Sequence, residues 1–96
     1  MNIHFVWNEN KNKINKRKHK VSFEEAKTVF LDDYARLIYD PGHSEIEDRF
    51  LLLGMSMHLR LLVVCHCYRK NDEEIRIVMA RRATRKEAKQ YYEKRI

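Results

Sequence analysis

The sequence is poor in the residues that bend, cross-link or span. Two glycines and one proline in 96 residues leave no linker and no low-complexity stretch, so its elements must follow one another closely. Two cysteines, Cys65 and Cys67, exclude a disulfide framework. They sit two apart in an apolar run that reads as a strand, which puts both thiols on one face, where they cannot easily bond each other. No CxxC pair accompanies them, so no zinc site is expected, and reduced, buried thiols suit the cytoplasm. The longest apolar runs, Phe50 to Met57 and Leu59 to Cys67, are broken by Arg60 and fall short of the roughly 20 residues a bilayer needs. No secretory h-region follows Met1, and no membrane contact is expected. A chain of this length has room for one domain, spanning 1–96, with a single modest core and no space for a large organic cofactor.

What the sequence has is charge. Twenty Lys and Arg against fourteen Asp and Glu give +6, a field that attracts polyanions and makes nucleic acid the first partner to consider. Lys11, Lys13, Lys16, Arg17, Lys18 and Lys20 crowd one segment; Arg81, Arg82, Arg85, Lys86, Lys89, Lys94 and Arg95 crowd the C-terminus. The stretch between Phe23 and Phe50 is acidic. The plain alternative for such runs is a solvated basic surface with no ligand.

Periodicity supplies the elements. Met1 to Trp7 alternates as a short edge strand, and Asn8 caps a helix whose Lys11, Ile14, Asn15 and Lys18 share one face. That helix is weakly amphipathic and expected at the surface. Ser22-Phe23-Glu24-Glu25 is a capping box, with Glu25 reaching back to Ser22 and Val21 stapled to Ala26, so a second helix begins there and ends at Asp32-Asp33. Ala35 to Tyr39, Arg49 to Ser56, Leu59 to Arg69 and Glu74 to Arg81 read as strands, with a turn at Asp40-Pro41-Gly42-His43. Thr84-Arg85-Lys86-Glu87 is a second capping box, opening a helix with Ala88, Tyr91 and Tyr92 on its apolar stripe. The expected fold is α+β, in the order β-α-α-β-β-β-β-α: an antiparallel meander packed by two N-terminal helices and one C-terminal helix.

Several of these residues also fall in a familiar order. Phe5-Val6-Trp7-Asn8, Lys11, Asn15, Lys18-His19, Val21-Ser22-Phe23-Glu24-Glu25-Ala26, Val29-Phe30, Asp40, His43-Ser44, Glu47, Arg49, Gly54, Ser56, Arg60-Leu61 and Arg76-Ile77 with Ala80-Arg81-Arg82-Ala83 resemble the BrnT toxins over nearly the whole chain. The departures are Asn8, where the family usually has aspartate, and Lys20, where it usually has glycine. The resemblance implies a RelE-like fold and a ribonuclease toxin of a type II toxin-antitoxin pair that arrests growth by inhibiting translation. It also implies a BrnA-like ribbon-helix-helix antitoxin, joined in a 2:2 complex that binds operator DNA through the antitoxin.

Cleaving RNA without a metal needs a base for the 2′-hydroxyl proton, a cation for the phosphorane charge and an acid for the leaving 5′-oxygen. Clustered carboxylates would favour a metal, but Asp and Glu here are scattered, so neither metal nor other cofactor is expected. His19, in the field of Lys16, Arg17, Lys18 and Lys20, is a candidate base, or an exposed helix-end histidine. His66 is a second candidate, or a satisfied core residue. Arg81 is the preferred cation, because RelE-like nucleases use an arginine at a comparable strand end; otherwise it is an exposed arginine paired with Glu74 or Glu87. As an exposed residue it is expected to be dispensable for folding. Glu47, held by Arg49, is a possible base, or a solvated loop acid. Arg49, Arg60, Arg69 and Arg76 lie on neighbouring strands and could converge on one surface, Arg49 as a catalytic candidate and Arg60, Arg69 and Arg76 as RNA contacts, but parity puts Arg76 and Arg81 on opposite sheet faces unless a bulge or twist intervenes.

Lys11, Lys18, Arg82, Arg85, Lys86 and Lys89 are candidate phosphate contacts. Tyr91 or Tyr92 could stack on a base; helical spacing makes one of them core, and Tyr92 is the expected one. Trp7 is expected to anchor the first strand. Two other classes remain open: a basic nucleic-acid-binding module without catalysis, and a partner-binding protein whose basic face meets an acidic polypeptide.

Overall fold

A computed structural model describes residues 3–38 and 49–93. The expected turn at Asp40-Pro41-Gly42-His43 and the candidate Glu47 lie outside the described residues. The elements are β1 (His4–Val6), α1 (Glu9–His19), α2 (Phe23–Lys27) continued by a 3-10 turn (Thr28–Leu31), β2 (Arg36–Ile38), β3 (Phe50–Met55), β4 (Leu61–Arg69), β5 (Glu74–Arg82) and α3 (Arg85–Glu93). This is the expected α+β order. Among the described residues no helix is long and apolar enough to cross a membrane.

The five strands form one sheet in the order β1-β5-β4-β3-β2. β2 to β5 make the antiparallel meander, but β1 lies parallel to β5, with Phe5 opposite Ile75, so the sheet is mixed rather than wholly antiparallel. The chain therefore leaves one sheet edge at β1 and re-enters at the other, carrying the first two helices across. α2 and its 3-10 turn cover one face of the sheet, where Val21, Phe23, Ala26 and Val29 pack on Leu62, Val64, Ile77 and Ala80. On the other face Tyr91 of α3 packs on Leu51, Leu53, Val63 and Cys65. Gly54 is required where the two layers approach most closely: a Cβ there would lie 2.8 Å from both Ala35 Cβ and Val29 Cγ1.

The caps set the helix ends. Asn8 accepts from the Lys11 amide, and the α1 C-terminus carries Lys16, Arg17, Lys18 and His19 against its negative dipole end. Lys20 closes α1 in a left-handed conformation, φ 62°, which a side chain tolerates less well than glycine. Ser22 accepts from the Glu25 amide at 3.0 Å, the first half of the expected box. The other half is corrected: the Glu25 carboxylate turns instead to Ser56 Oγ at 2.6 Å and to the Arg60 guanidinium. A buried carboxylate is better satisfied by a guanidinium than by one amide, and that hydrogen bonding holds it below the usual carboxylate range. The second box is complete, with Glu87 N donating to Thr84 Oγ1 and Thr84 N donating to the Glu87 carboxylate.

α1 docks by amides rather than by apolar side chains. Its buried residues are Asn12 and Asn15. Asn12 accepts from the Phe23 amide at 2.8 Å and donates to the carboxylates of Glu9 and Glu24. Asn15 donates to the carbonyls of Val21 and Ala80, both at 2.8 Å, and accepts from the Ala80 amide at 3.2 Å. One side chain thus exchanges with Ala80 the pair of hydrogen bonds that a neighbouring strand would make.

Candidate nucleic-acid interface

The feature that organises the charged side chains is a bulge. Cys65 pairs with Met79 and His66 with Ile77, so Val78 is an extra residue in β5. Parity is reset there. Arg76 lies opposite Cys67 and Arg81 opposite Val63, and Cys67 and Val63 share one face of β4. The conflict between Arg76 and Arg81 is thereby resolved: both point to the face that α3 only partly covers. Five residues at about 3.3 Å each put roughly 16 Å of strand between their Cα atoms, and Arg81 is turned toward Glu87.

Two hollows flank β5 on this side. The larger, of about 330 Å³, is lined by Val6, Trp7, Asn8, Arg69, Glu74 and Arg76. Arg69 and Arg76 reach it from adjacent strands, Arg69 lying opposite Glu74 and so two residues from Arg76 in register. Arg76 makes no side-chain hydrogen bond or ion pair among the described residues. Glu74 is bridged to Lys70 at 3.4 Å. Trp7, expected only to anchor its strand, both packs on Phe23, with ring centroids 6.1 Å apart, and lines this hollow. The smaller hollow, of about 180 Å³, lies between α1 and the bulge and is lined by Lys11, Ile14, Asn15, Lys18, His19, Val78 and Met79.

The remaining candidates fall elsewhere. His66 is fully buried on the helix-covered face, its Nδ1 3.1 Å from the Val64 carbonyl and its ring edge-on to Phe30 at 4.9 Å and to Tyr68 at 5.3 Å. Burial pushes its pKa down, so the ring is neutral. The sheet separates it from Arg76 and Arg81. His19, the last residue of α1, lies some 15 Å along the helix from Glu9 and so away from the Arg76 hollow. Arg49 immediately precedes β3 and is half-buried. Arg60 is committed to Glu25 and to the Lys20 carbonyl at 2.9 Å.

Arg81 is held by Glu87, with its two terminal nitrogens at 2.8 and 2.9 Å from the two carboxylate oxygens. That guanidinium brings the Glu87 carboxyl down to about 2. Of the two readings of Arg81 the pairing with Glu87 is the one present, and it ties the end of β5 to α3. Arg82, Arg85, Lys86 and Lys89 are exposed around the start of α3. Of the two tyrosines it is Tyr91, not Tyr92, that enters the core: Tyr91 is 3 % exposed and donates to Asp32 at 2.6 Å, whereas Tyr92 is 50 % exposed. Tyr91 therefore has no face to offer a base. Among the described residues no group of three or more His, Cys, Asp or Glu is placed to hold a metal ion.

A sequence model described as the ribonuclease toxin BrnT of a type II toxin-antitoxin system matches residues 7–87. The chain belongs to the BrnT family. The crystal structure of the Brucella abortus ribonuclease toxin BrnT superposes with a TM-score of 0.66, at 19 % sequence identity, covering 86 % of this chain and 99 % of that one. At that identity the likeness shows a shared BrnT fold. Among curated proteins none matches the chain. A type II toxin has an antitoxin partner, and the BrnT description names RNA as what is cut.

Proposed function

We propose that the chain is a metal-independent endoribonuclease whose reaction centre is the hollow holding Arg69, Glu74 and Arg76. The observation that carries this reading is Arg76, a half-buried guanidinium lining an open hollow with no ion-pair partner among the described residues. An arginine left this way has its donors available for a phosphate. Arg69, beside it, adds a second positive charge. Glu74 accepts the proton of the 2′-hydroxyl as that oxygen attacks the adjacent phosphorus. The two guanidiniums balance the charge of the phosphorane, and the P–O5′ bond breaks with the 5′-oxygen taking a proton from solvent. The products are a 2′,3′-cyclic phosphate and a 5′-hydroxyl. Trp7, at the rim, is a surface on which an unstacked base can lie. Arg81, clamped by Glu87, serves as a positioning residue for α3 and not as the cation of the reaction.

Translation is inhibited by destruction of RNA in the cytoplasm, and a BrnA-like ribbon-helix-helix antitoxin, two toxins to one antitoxin dimer, covers the basic face. The test is incubation of the purified chain with total RNA in EDTA. Fragments ending in cyclic phosphate are expected; RNA that stays full-length at every protein concentration would sink the mechanism.

A further inference from the structure

The second hollow is separate from the reaction centre, and its lining has a different character. In a regular strand Val78 and Met79 would point to opposite faces. The bulge leaves Val78 unpaired, and both side chains border the hollow beside α1. Ile14 faces them from the helix and is 54 % exposed, an apolar side chain left open to water. Around this apolar floor stand Lys11, Lys18 and His19. Asn15 lies at its base but is occupied with Val21 and Ala80, so it reads no ligand. The hollow is thus apolar below and cationic at the rim. That is the complement of a nucleotide, which offers a flat, weakly polar base and an anionic phosphate. At about 180 Å³ it is smaller than the roughly 300–1,000 Å³ of drug-sized pockets, and suits a single ring system.

Position decides which anionic partner fits. Arg76 borders the first hollow and Val78 the second, and Asn8 borders the first while Lys11, one helical turn on, borders the second. The two hollows are consecutive along β5 and α1. A single strand held at Arg76 therefore passes over the floor formed by Ile14, Val78 and Met79.

We infer that the groove between α1 and the β5 bulge is a second nucleotide subsite, which takes the base of a residue flanking the scissile phosphate of single-stranded RNA and holds its phosphate on Lys11 and Lys18. The inference rests on the ribonuclease reading and gives it a specificity element. Bulges occur preferentially next to active sites, where they re-aim side chains; this one sets the direction of Arg76 and the floor of the subsite together.

The test uses the full chain and a single-stranded RNA oligonucleotide made uncleavable by 2′-O-methyl groups. Ile14→Ser should weaken binding about tenfold while leaving its salt dependence unchanged, because it removes only apolar contact. Lys18→Gln should lower the slope of log affinity against log salt by about 0.7, the value for one phosphate contact on a single strand. On cleavable RNA, Ile14→Ser should also flatten the base preference beside the cut. Lys27→Gln, which removes an equal charge from α2 on the other side of the sheet, should keep the wild-type slope. Wild-type binding and slope in both groove variants, with total RNA still cut by the parent chain, overturn the subsite and leave the ribonuclease reading standing. Intact RNA binding by Ile14→Ser together with lost capture of a co-expressed antitoxin also overturns it, and gives the groove to the protein partner. A parent chain that neither binds nor cuts RNA overturns both.

Discussion

The two faces of the sheet are built from the same strands and differ in what they leave undone. The face under α2 is closed: its apolar side chains are buried, and Glu25, Ser56 and Arg60 satisfy one another at its margin. The face under α3 is closed only beneath Tyr91, and beyond it Arg76 stands at an open hollow. Half-buried charge without a partner costs stability, so a fold keeps it only where something else uses it. The difference teaches which arginines to suspect. Arg60 and Arg76 are indistinguishable in composition, but one is tied to a carboxylate and the other is not.

The largest contrast is expected from exchanging effects between the faces. Arg76→Ala should lower RNA cleavage by about 100- to 1,000-fold, the usual cost of losing one transition-state donor, with a melting temperature no lower than that of the parent. Arg60→Ala should instead unfold the chain at lower temperature, because Glu25 is left buried and charged. Cleavage measured beside thermal melting separates them; a fully active Arg76→Ala would remove the reaction centre from this hollow.

Next in size is Asn15→Ala. It strands the amide and carbonyl of Ala80 in the core, and a loss of about 2–4 kcal/mol in denaturant unfolding follows from the penalty for unpaired buried groups.

Acid should divide the faces more gently. His66, on the closed face, has its pKa lowered by burial, so the unfolded chain takes up its proton first. Its contribution is complete above about pH 6.5 and declines below that by at most ~1.4 kcal/mol per pH unit. Glu87, on the open face, titrates near 2 when folded, so the Arg81 link persists above the ordinary carboxylate range and is lost only as pH falls from about 4.5 toward 2. Urea unfolding across pH should show two limbs, the upper absent in His66→Phe and the lower reduced in Glu87→Gln, with the remainder carried by Glu25, whose carboxyl is also held down by its hydrogen bonds to Arg60 and Ser56. The smallest effect is a gain: Lys20→Gly relieves the left-handed cap and should add about 0.5–1 kcal/mol.

Much of this architecture was legible where the physics is local. Asn8, Ser22 and Thr84 cap the helices they were expected to cap, and Lys11, Ile14, Asn15 and Lys18 do share one helix face. What escaped depends on contacts between distant residues. Nothing near Trp7 says that β1 will run parallel to β5 and bring the indole beside Arg69 and Arg76. Val78 carries no mark of a bulge; the pairing of β4 with β5 makes it one. Spacing puts Tyr91 and Tyr92 on the same stripe, and only the position of Asp32 chooses Tyr91. Glu25 likewise has Ser22 as its neighbour in sequence, while its stronger partner, Arg60, lies 35 residues away.

The Asn15 side chain has one more consequence. β5, a nine-residue strand, would otherwise present a ladder of bare amides and carbonyls beyond the end of β1. The amide of Asn15 pairs the N–H and C=O of Ala80 within that stretch, and among the described residues the outer strands, β1 and β2, are three residues long each. Margins so short are poor templates for zipping one molecule onto the next. A polar residue on a lysine-rich helix thereby occupies at Ala80 the donor and the acceptor that an incoming strand would need, and more hydrocarbon at that position would have left both bare.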